Sequence, residues 1–155
     1  MERKTCKFKL FAAAIFAMLA LAAGTIVFTA QPVKAAASYE LVYSQSDENV
    51  VTGITITGGD SVVADIPENV TEIADAAFAG AKISGGNFAP DAKLNKIGDS
   101  AFEETELKEI KLPEGLVEIG AGAFAYCHSL NSVVLPDSLQ LVGQRAFNDN
   151  ANELN

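Results

Sequence analysis

The feature that most constrains this chain is a repeat of 23 residues. Four of its five prolines are spaced 23 residues apart: Pro67, Pro90, Pro113 and Pro136. A fixed period in the twenties is typical of solenoids, in which each coil packs only on its neighbours. We therefore expect a stack of similar coils that share one continuous core.

A second pattern follows each proline and ends in Ala-Phe. It occupies residues 73–78, 97–102, 119–124 and 142–147, with phenylalanines 24, 22 and 23 residues apart. One extra residue in the stretch PDAKLNKI and one missing in FEETEL explain the variation. Phe102 and Phe124 are the expected core anchors, each stacked on the phenylalanine of the next coil.

The local pattern predicts the structure of one coil. In LKEIKLP (residues 107–113), apolar and polar residues alternate, which is typical of a half-buried strand. The proline after the strand ends its hydrogen bonding, and a second short strand follows. Gly98, Gly120 and Gly143 then suggest a turn with positive φ. After the glycine we expect a short helical turn that places the Ala-Phe pair in the core.

These residues resemble a known family. The phrase P-x-x-[LV]-x-x-[IV]-G-x-x-A-F-x-x-C-x-x-L-x-x-[IV]-x-[IL]-P, complete from Pro113 to Pro136, is similar to the BspA-type leucine-rich repeat. The resemblance covers residues 62–147. It implies an α/β fold, a right-handed leucine-rich repeat solenoid whose 23-residue coils consist of strand, turn, short strand and short helix. It also implies a secreted or cell-surface protein that serves as an adhesin or interaction module.

The segments outside the repeats have their own signatures. Residues 1–35 combine a basic start, an apolar run and an A-x-A-like end, which is typical of a secretory signal peptide cleaved after Ala35 or Ala37. An uncleaved membrane anchor is the alternative, because the apolar run is about long enough to span a bilayer. Residues 36–61 are predicted to form a small β cap before the solenoid, and residues 148–155 a polar C-terminal tail.

The charge of the mature chain limits its partners. Cleavage removes five of eleven basic residues and one of twenty acidic residues, which leaves six against nineteen and a net charge of −13. Nucleic acids and anionic membranes attract positive charge, so this composition argues against both. A membrane association is expected only if the N-terminal apolar segment stays uncleaved.

The sequence offers no catalytic or metal-binding constellation. Cys127 and His128 are neighbours in sequence, and neighbouring side chains usually point in different directions, so they do not predict a thiol protease. Cys127 also occupies a repeat position that is expected to be buried. The acidic cluster from Glu103 to Glu109 lacks the spacing of an EF-hand. We therefore expect no enzyme, no cofactor and no bound metal.

Two functions remain open. The first is a module that binds a protein or a glycan on its exposed strand face, and the alternative is a structural spacer or a short remnant of a longer surface protein. Alignment on the prolines places Asp65, Phe88, Lys111 and Val134 in one outward column and Val63, Gly86, Glu109 and Ser132 in another, although Phe88 itself is expected to be a core residue. The predicted binding face consists of Asp65, Glu109, Lys111, Ser132 and Val134.

Overall fold

The structure, a computed structural model, describes residues 37–150. This part of the chain contains strands and turns and no helix, so no helix in it could cross a membrane. The strands are β1 (Ser38–Tyr43), β2 (Val50–Thr57), β3 (Val62–Ile66), β4 (Glu72–Ile73), β5 (Ile83–Phe88), β6 (Lys96–Ile97), β7 (Glu109–Lys111), β8 (Glu118–Ile119), β9 (Ser132–Val134) and β10 (Leu141–Val142).

The coils stack through a six-stranded sheet in the order β1-β2-β4-β6-β8-β10. The hairpin of β1 and β2 is antiparallel, and every later neighbour is parallel. The register aligns one apolar residue from each coil: Ile73, Ile97, Ile119 and Val142. The longer strands form two further parallel pairs, β3 with β5 and β7 with β9. The result is a β-solenoid of about four turns, as the repeat predicts.

A column of phenylalanines fills the core beside the isoleucine column. The ring centroids of Phe78, Phe102, Phe124 and Phe147 are separated in turn by 4.9, 5.1 and 5.3 Å, and the rings of the last two pairs are nearly parallel. Phe102 and Phe124 are fully buried, so the prediction that they are stacked core anchors is confirmed. Such aromatic pairs contribute about 0.5–1.5 kcal/mol beyond the burial of their area.

The segment after the second strand of each coil is a series of turns. The predicted short helix, and with it the α/β class, is not confirmed, because residues 37–150 contain no helix. In residues 99–104, Ser100 and Glu104 take a left-handed conformation (φ 52° and 56°), and three N–H groups point at the next coil. These bonds run from Ser100, Phe102 and Glu104 to the carbonyls of Ala121, Ala123 and Ala125, with N···O distances of 2.9, 2.7 and 3.0 Å. A helix directs its N–H groups to its own carbonyls, so it could not join neighbouring coils in this way.

The glycines after the isoleucine column do not have the positive φ that the sequence suggests. They are needed because the coils approach each other closely at this point. A Cβ on Gly120 would lie 2.5 Å from the backbone N of Asp99, and one on Gly143 would lie 2.4 Å from the backbone N of Ala121. The first coil has Ala74 at the equivalent position, where strand β2 rather than another turn precedes it.

The hairpin of β1 and β2 lies beside the first coil. Val51 of β2 accepts the N–H of Ala74 at 2.8 Å, and the hydroxyl of Tyr39 in β1 accepts the N–H of Asp65 at 2.7 Å. The hairpin falls in the predicted β cap, although the boundaries of cap, solenoid and tail stay predictions. The predicted signal peptide lies outside the described residues, as do residues 151–155 of the tail.

Candidate interaction surface

Four of the five predicted face residues lie together on β7 and β9. The parallel register pairs Glu109 with Ser132 and Lys111 with Val134, which is the pairing expected from the proline alignment. All four side chains are exposed, because successive residues of a strand point to opposite faces. Between them Ile110 points inward and is buried. The arrangement places an ammonium group beside an exposed valine, and a carboxylate beside a hydroxyl.

Asp65 lies apart from these four, on β3, and its polar groups already have partners. Its carboxylate accepts a hydrogen bond from Nδ2 of Asn87 at 2.9 Å, and its N–H donates to the hydroxyl of Tyr39. Burial raises the pKa of the Tyr39 phenol above its ordinary value. Asp65 is exposed, but its contacts tie the hairpin to the first coil.

The predicted columns are wrong by one residue at β5. Asp65 pairs with Asn87 and Val63 pairs with Gly85, whereas Phe88 packs against the core. The cause is Ala89, an extra residue between the end of β5 and its proline, since Pro67 follows β3 directly. Alignment on the prolines therefore shifts the register of this one strand.

The two glycines of β5 do not interrupt the strand. Gly86 lies opposite Ala64, where Cδ1 of Ile110 would be 3.6 Å from an added Cβ. Ile110 of the next coil would therefore be in ordinary van der Waals contact with a methyl group at Gly86. Lys108 also donates its N–H to the carbonyl of Ser84 at 3.2 Å, which holds β7 beside β5.

A shallow depression of about 380 Å³ lies at the turn edge of the solenoid. It is lined by Glu104, Thr105, Glu106, Tyr126, His128 and Ser129. The rings of Tyr126 and His128 meet edge to face with centroids 6.5 Å apart, and both side chains are exposed. The acidic residues were evident from the sequence, but Tyr126 was not, because its exposure depends on its left-handed backbone (φ 58°).

Cys127 is a core residue, as predicted. It is fully buried, and its thiol contacts the carbonyl of Phe102 at 3.1 Å and the hydroxyl of Thr105 at 3.2 Å. Burial raises the pKa of the thiol, which disfavours the reactive thiolate. His128 is exposed and contacts Tyr126. Residues 37–150 contain no group of three or more His, Cys, Asp or Glu side chains that could hold a metal ion.

The last coil is the part of the surface that the sequence did not predict. Leu135 and Val142 are each 46% exposed, although they occupy repeat positions that are apolar and buried in inner coils. The equivalent Leu112 and Ile119 are 1% and 0% exposed. Leu141 is 55% exposed, at the position that Glu72, Lys96 and Glu118 occupy in the earlier coils.

Comparison with known proteins is consistent with this architecture. The family model described as the BspA type leucine-rich repeat region matches residues 62–154 in six copies. A crystal structure of the pneumococcal vaccine antigen PcpA matches 60% of this chain at 32% identity and a TM-score of 0.57. A T. pallidum leucine-rich repeat protein, TpLRR, matches 75% of this chain at 26% identity and a TM-score of 0.45. No curated protein matches the chain.

The matched structures are longer than this chain, which spans 24% of the pneumococcal antigen and 66% of the T. pallidum protein. The family match, by contrast, covers more than half of this chain and includes all the stacked coils with their phenylalanine column. The chain therefore belongs to the family of the BspA type leucine-rich repeat.

Proposed function

We propose that this chain is a protein-binding module of a secreted or surface-exposed protein, and that its ligand lies across β7 and β9. The observation that carries the proposal is the parallel ladder that sets Lys111 beside the exposed Val134. Membership of a repeat family suited to protein interaction supports it. Similarity to a pneumococcal vaccine antigen supports a location outside the cell.

The face suits a ligand because it is held rigidly. Ile110 and Val133 pack inward between the exposed pairs, so β7 and β9 are fixed on the core. A preorganised surface loses little conformational entropy on binding, so a few contacts can give useful affinity. Val134 provides an apolar contact, and Lys111 can pair with a carboxylate or a carbonyl of the ligand.

Charge favours a ligand with basic regions around that contact. Residues 37–150 carry eighteen acidic and six basic side chains, a net charge of −12. A field of this sign accelerates the encounter with a positively charged partner, although it adds less to the final affinity. Lys111 is then a local exception that helps to fix the orientation of the ligand.

The test is the double variant Lys111→Glu with Val134→Asp. We expect at least a roughly tenfold loss of affinity, about 1.4 kcal/mol, for a partner identified by cross-linking to extracellular matrix or host-surface proteins. The matched control, Lys93→Glu with Val117→Asp, makes the same chemical changes at exposed positions away from the face. Both variants should keep the circular-dichroism spectrum and melting temperature of the parent.

Two results would contradict the proposal. If binding survives the double variant but is lost in Tyr126→Ala, the ligand occupies the depression at the turn edge. If no saturable partner is found with either surface intact, the chain serves as a spacer.

A further inference from the structure

The depression at the turn edge lies where the second and third coils meet. Four residues separate Phe102 from the next core leucine, Leu107, whereas five separate Phe124 from Leu130. The lining residues come from these two unequal stretches: Glu104, Thr105, Glu106, Tyr126, His128 and Ser129. The depression is therefore built by two inner coils, at the point where their lengths differ.

Hydrogen bonds fix the floor of the depression. Thr105 is only 4% exposed, and its hydroxyl donates to the carbonyl of Phe102 at 2.9 Å and contacts the thiol of Cys127 at 3.2 Å. The N–H of Glu104 donates to the carbonyl of Ala125 at 3.0 Å. The backbone beneath a ligand is therefore already in place, which lowers the entropic cost of binding.

One wall of the depression is aromatic. The side chain of Tyr126 is 40% exposed, and its ring meets the ring of His128 at an angle of 68°. Tyr126 occupies the same repeat position as Glu104, since each lies two residues after the stacked phenylalanine of its coil. An exposed ring and a carboxylate are therefore neighbours in one column across the two coils.

The other wall carries negative charge that no basic side chain compensates. Glu104 and Glu106 are both exposed, and neither forms an ion pair with any other residue in the range 37–150. Glu103 adjoins them, and its charge acts on the thiol of Cys127. Carboxylates beside an exposed ring attract a cation that also has a flat surface for the ring.

We propose that the depression binds the guanidinium group of an arginine side chain in a basic peptide segment. A planar guanidinium can stack on the ring of Tyr126 while its N–H groups face the carboxylates of Glu104 and Glu106. A lysine ammonium is compact and strongly hydrated, so it matches a ring flanked by carboxylates less well. A bare metal ion does not fit, because the described part of the chain has no group of His, Cys, Asp and Glu side chains that could hold one.

The size and the charge of the depression suit one cationic side chain. Its volume of about 380 Å³ is at the lower end of the roughly 300–1,000 Å³ that ligand sites occupy. A neutral sugar could also stack on Tyr126, but it would gain nothing from the negative charge of the two carboxylates. The net charge of −12 over residues 37–150 adds a field that attracts a basic segment.

The experiment is a titration of the full chain followed by NMR, with the capped peptide Gly-Arg-Gly as the probe. We expect saturable shifts at the backbone amides of Thr105, Tyr126 and His128. The matched peptide has citrulline in place of arginine, which keeps the shape of the side chain and removes its charge. It should bind about tenfold more weakly, and the corresponding lysine peptide should also bind more weakly than the arginine peptide.

Matched variants test the two walls separately. Tyr126→Ala should weaken binding about two- to fivefold, the range of an exposed cation–π contact, whereas Tyr126→Phe keeps the ring and should bind like the parent. Glu104→Gln with Glu106→Gln should also weaken binding and should reduce its dependence on salt. Glu114→Gln, at an exposed carboxylate outside the depression, should change neither.

The proposal is overturned if the arginine peptide gives no saturable shifts, or if the citrulline or lysine peptide binds as tightly. It is also overturned if Tyr126→Phe loses binding, or if a methyl glycoside shifts the same amides and the arginine peptide does not. None of the lining residues belongs to β7 or β9. Lys111→Glu with Val134→Asp should therefore leave arginine binding unchanged, so this proposal and the proposed binding face can fail independently.

Discussion

The third and the last coil carry nearly the same sequence phrase, yet their side chains have different environments. Ile119 of the third coil is buried, and Val142, its equivalent in the last coil, is half exposed. Leu112 and Leu135 differ in the same way. The local structure is alike, so the difference comes from the neighbours: among residues 37–150 the third coil has a coil on each side, and the last has one. In a solenoid, burial is a property of a pair of coils, and stability is a sum over such pairs.

The contacts of a coil are of two kinds: those with the preceding coil alone and those that need a coil on both sides. Some contacts face the preceding coil, such as the close approach of Gly143 to Ala121. Others need both neighbours, such as the phenylalanine stack, in which Phe124 contacts Phe102 and Phe147. The last coil should keep all of its contacts with the preceding coil. It should have only half of the contacts that need a coil on both sides.

The largest expected effect is the loss of stability when the phenylalanine of the third or the last coil is replaced by alanine. Phe124→Ala should lower the free energy of unfolding by about 3–5 kcal/mol, the usual range for a buried phenylalanine. Phe147→Ala should cost about half as much, because Phe147 is only partly buried and stacks on one ring. Urea denaturation of the two variants and the parent measures both values.

An equal decrease in the free energy of unfolding for Phe124→Ala and Phe147→Ala would contradict the difference between the two coils. They would mean that the last coil is as fully packed as the third, through residues 151–155 or self-association. Repeating the melts at tenfold different protein concentrations distinguishes these, since only self-association makes the midpoint depend on concentration.

The glycines should behave differently from the phenylalanines. Gly120→Ala and Gly143→Ala should each cost about 1–3 kcal/mol, because the new methyl group meets backbone atoms of the preceding coil and a backbone cannot easily move aside. The two costs should be similar, since both contacts face backward. Gly59→Ala is the control, because a Cβ there has no neighbour within 4 Å. A much smaller cost at Gly143 would show that the last coil is loosely held.

Much of this fold could be predicted from the repeat alone. The period of the prolines predicts the coils, the alternation in residues 107–113 predicts β7, and the Ala-Phe phrase predicts the buried aromatic column. These predictions succeed because burial in the inner coils follows directly from which positions are apolar in every repeat. The pairing of Lys111 with Val134 could be predicted for the same reason, since the two coils have equal lengths.

The sequence predictions fail where one coil differs in length from the others, or where its structure depends on the neighbouring coil. The extra Ala89 shifts β5 by one residue, a change that no alignment on prolines can reveal. The turn of residues 99–104 is short and alanine-containing, which favours a helix locally, but its N–H groups bond to the next coil instead. The exposure of Leu135 and Val142 could not be predicted from composition, because the equivalent apolar residues Leu112 and Ile119 are buried.

The smallest expected effect lies on the surface of the middle coils. Lys96 stacks beside Glu72 in the six-stranded sheet, with Nζ 3.1 Å from Oε1, and the next residue in the column is Glu118. In the last coil Leu141 takes this position, so the charge column ends there. Lys96→Met should therefore cost only about 0.2–1 kcal/mol near neutral pH, because the pair is exposed and screened.

Alkaline pH should reveal the same pair more clearly. The hydrogen bond from Lys96 to Glu72, followed by the charge of Glu72, raises the pKa of Lys96 above its ordinary 10.5, and burial raises the pKa of Tyr39 above 10.0. The folded state then holds these protons more tightly than the unfolded state. This stabilisation is complete below the unfolded pKa values and is lost as pH rises through the folded ones. Urea melts between about pH 9 and pH 12, which extend about one unit or more to either side of the unfolded pKa values, should show stability falling above about pH 10. Lys96→Met should lose less stability over that interval than the parent.

Lys93 is an exposed lysine with no ion pair among residues 37–150, so the control variant Lys93→Met should follow the parent. If Lys96→Met also follows the parent, the raised pKa of Lys96 is not coupled to folding, and the charge column contributes nothing to the stacking of the middle coils.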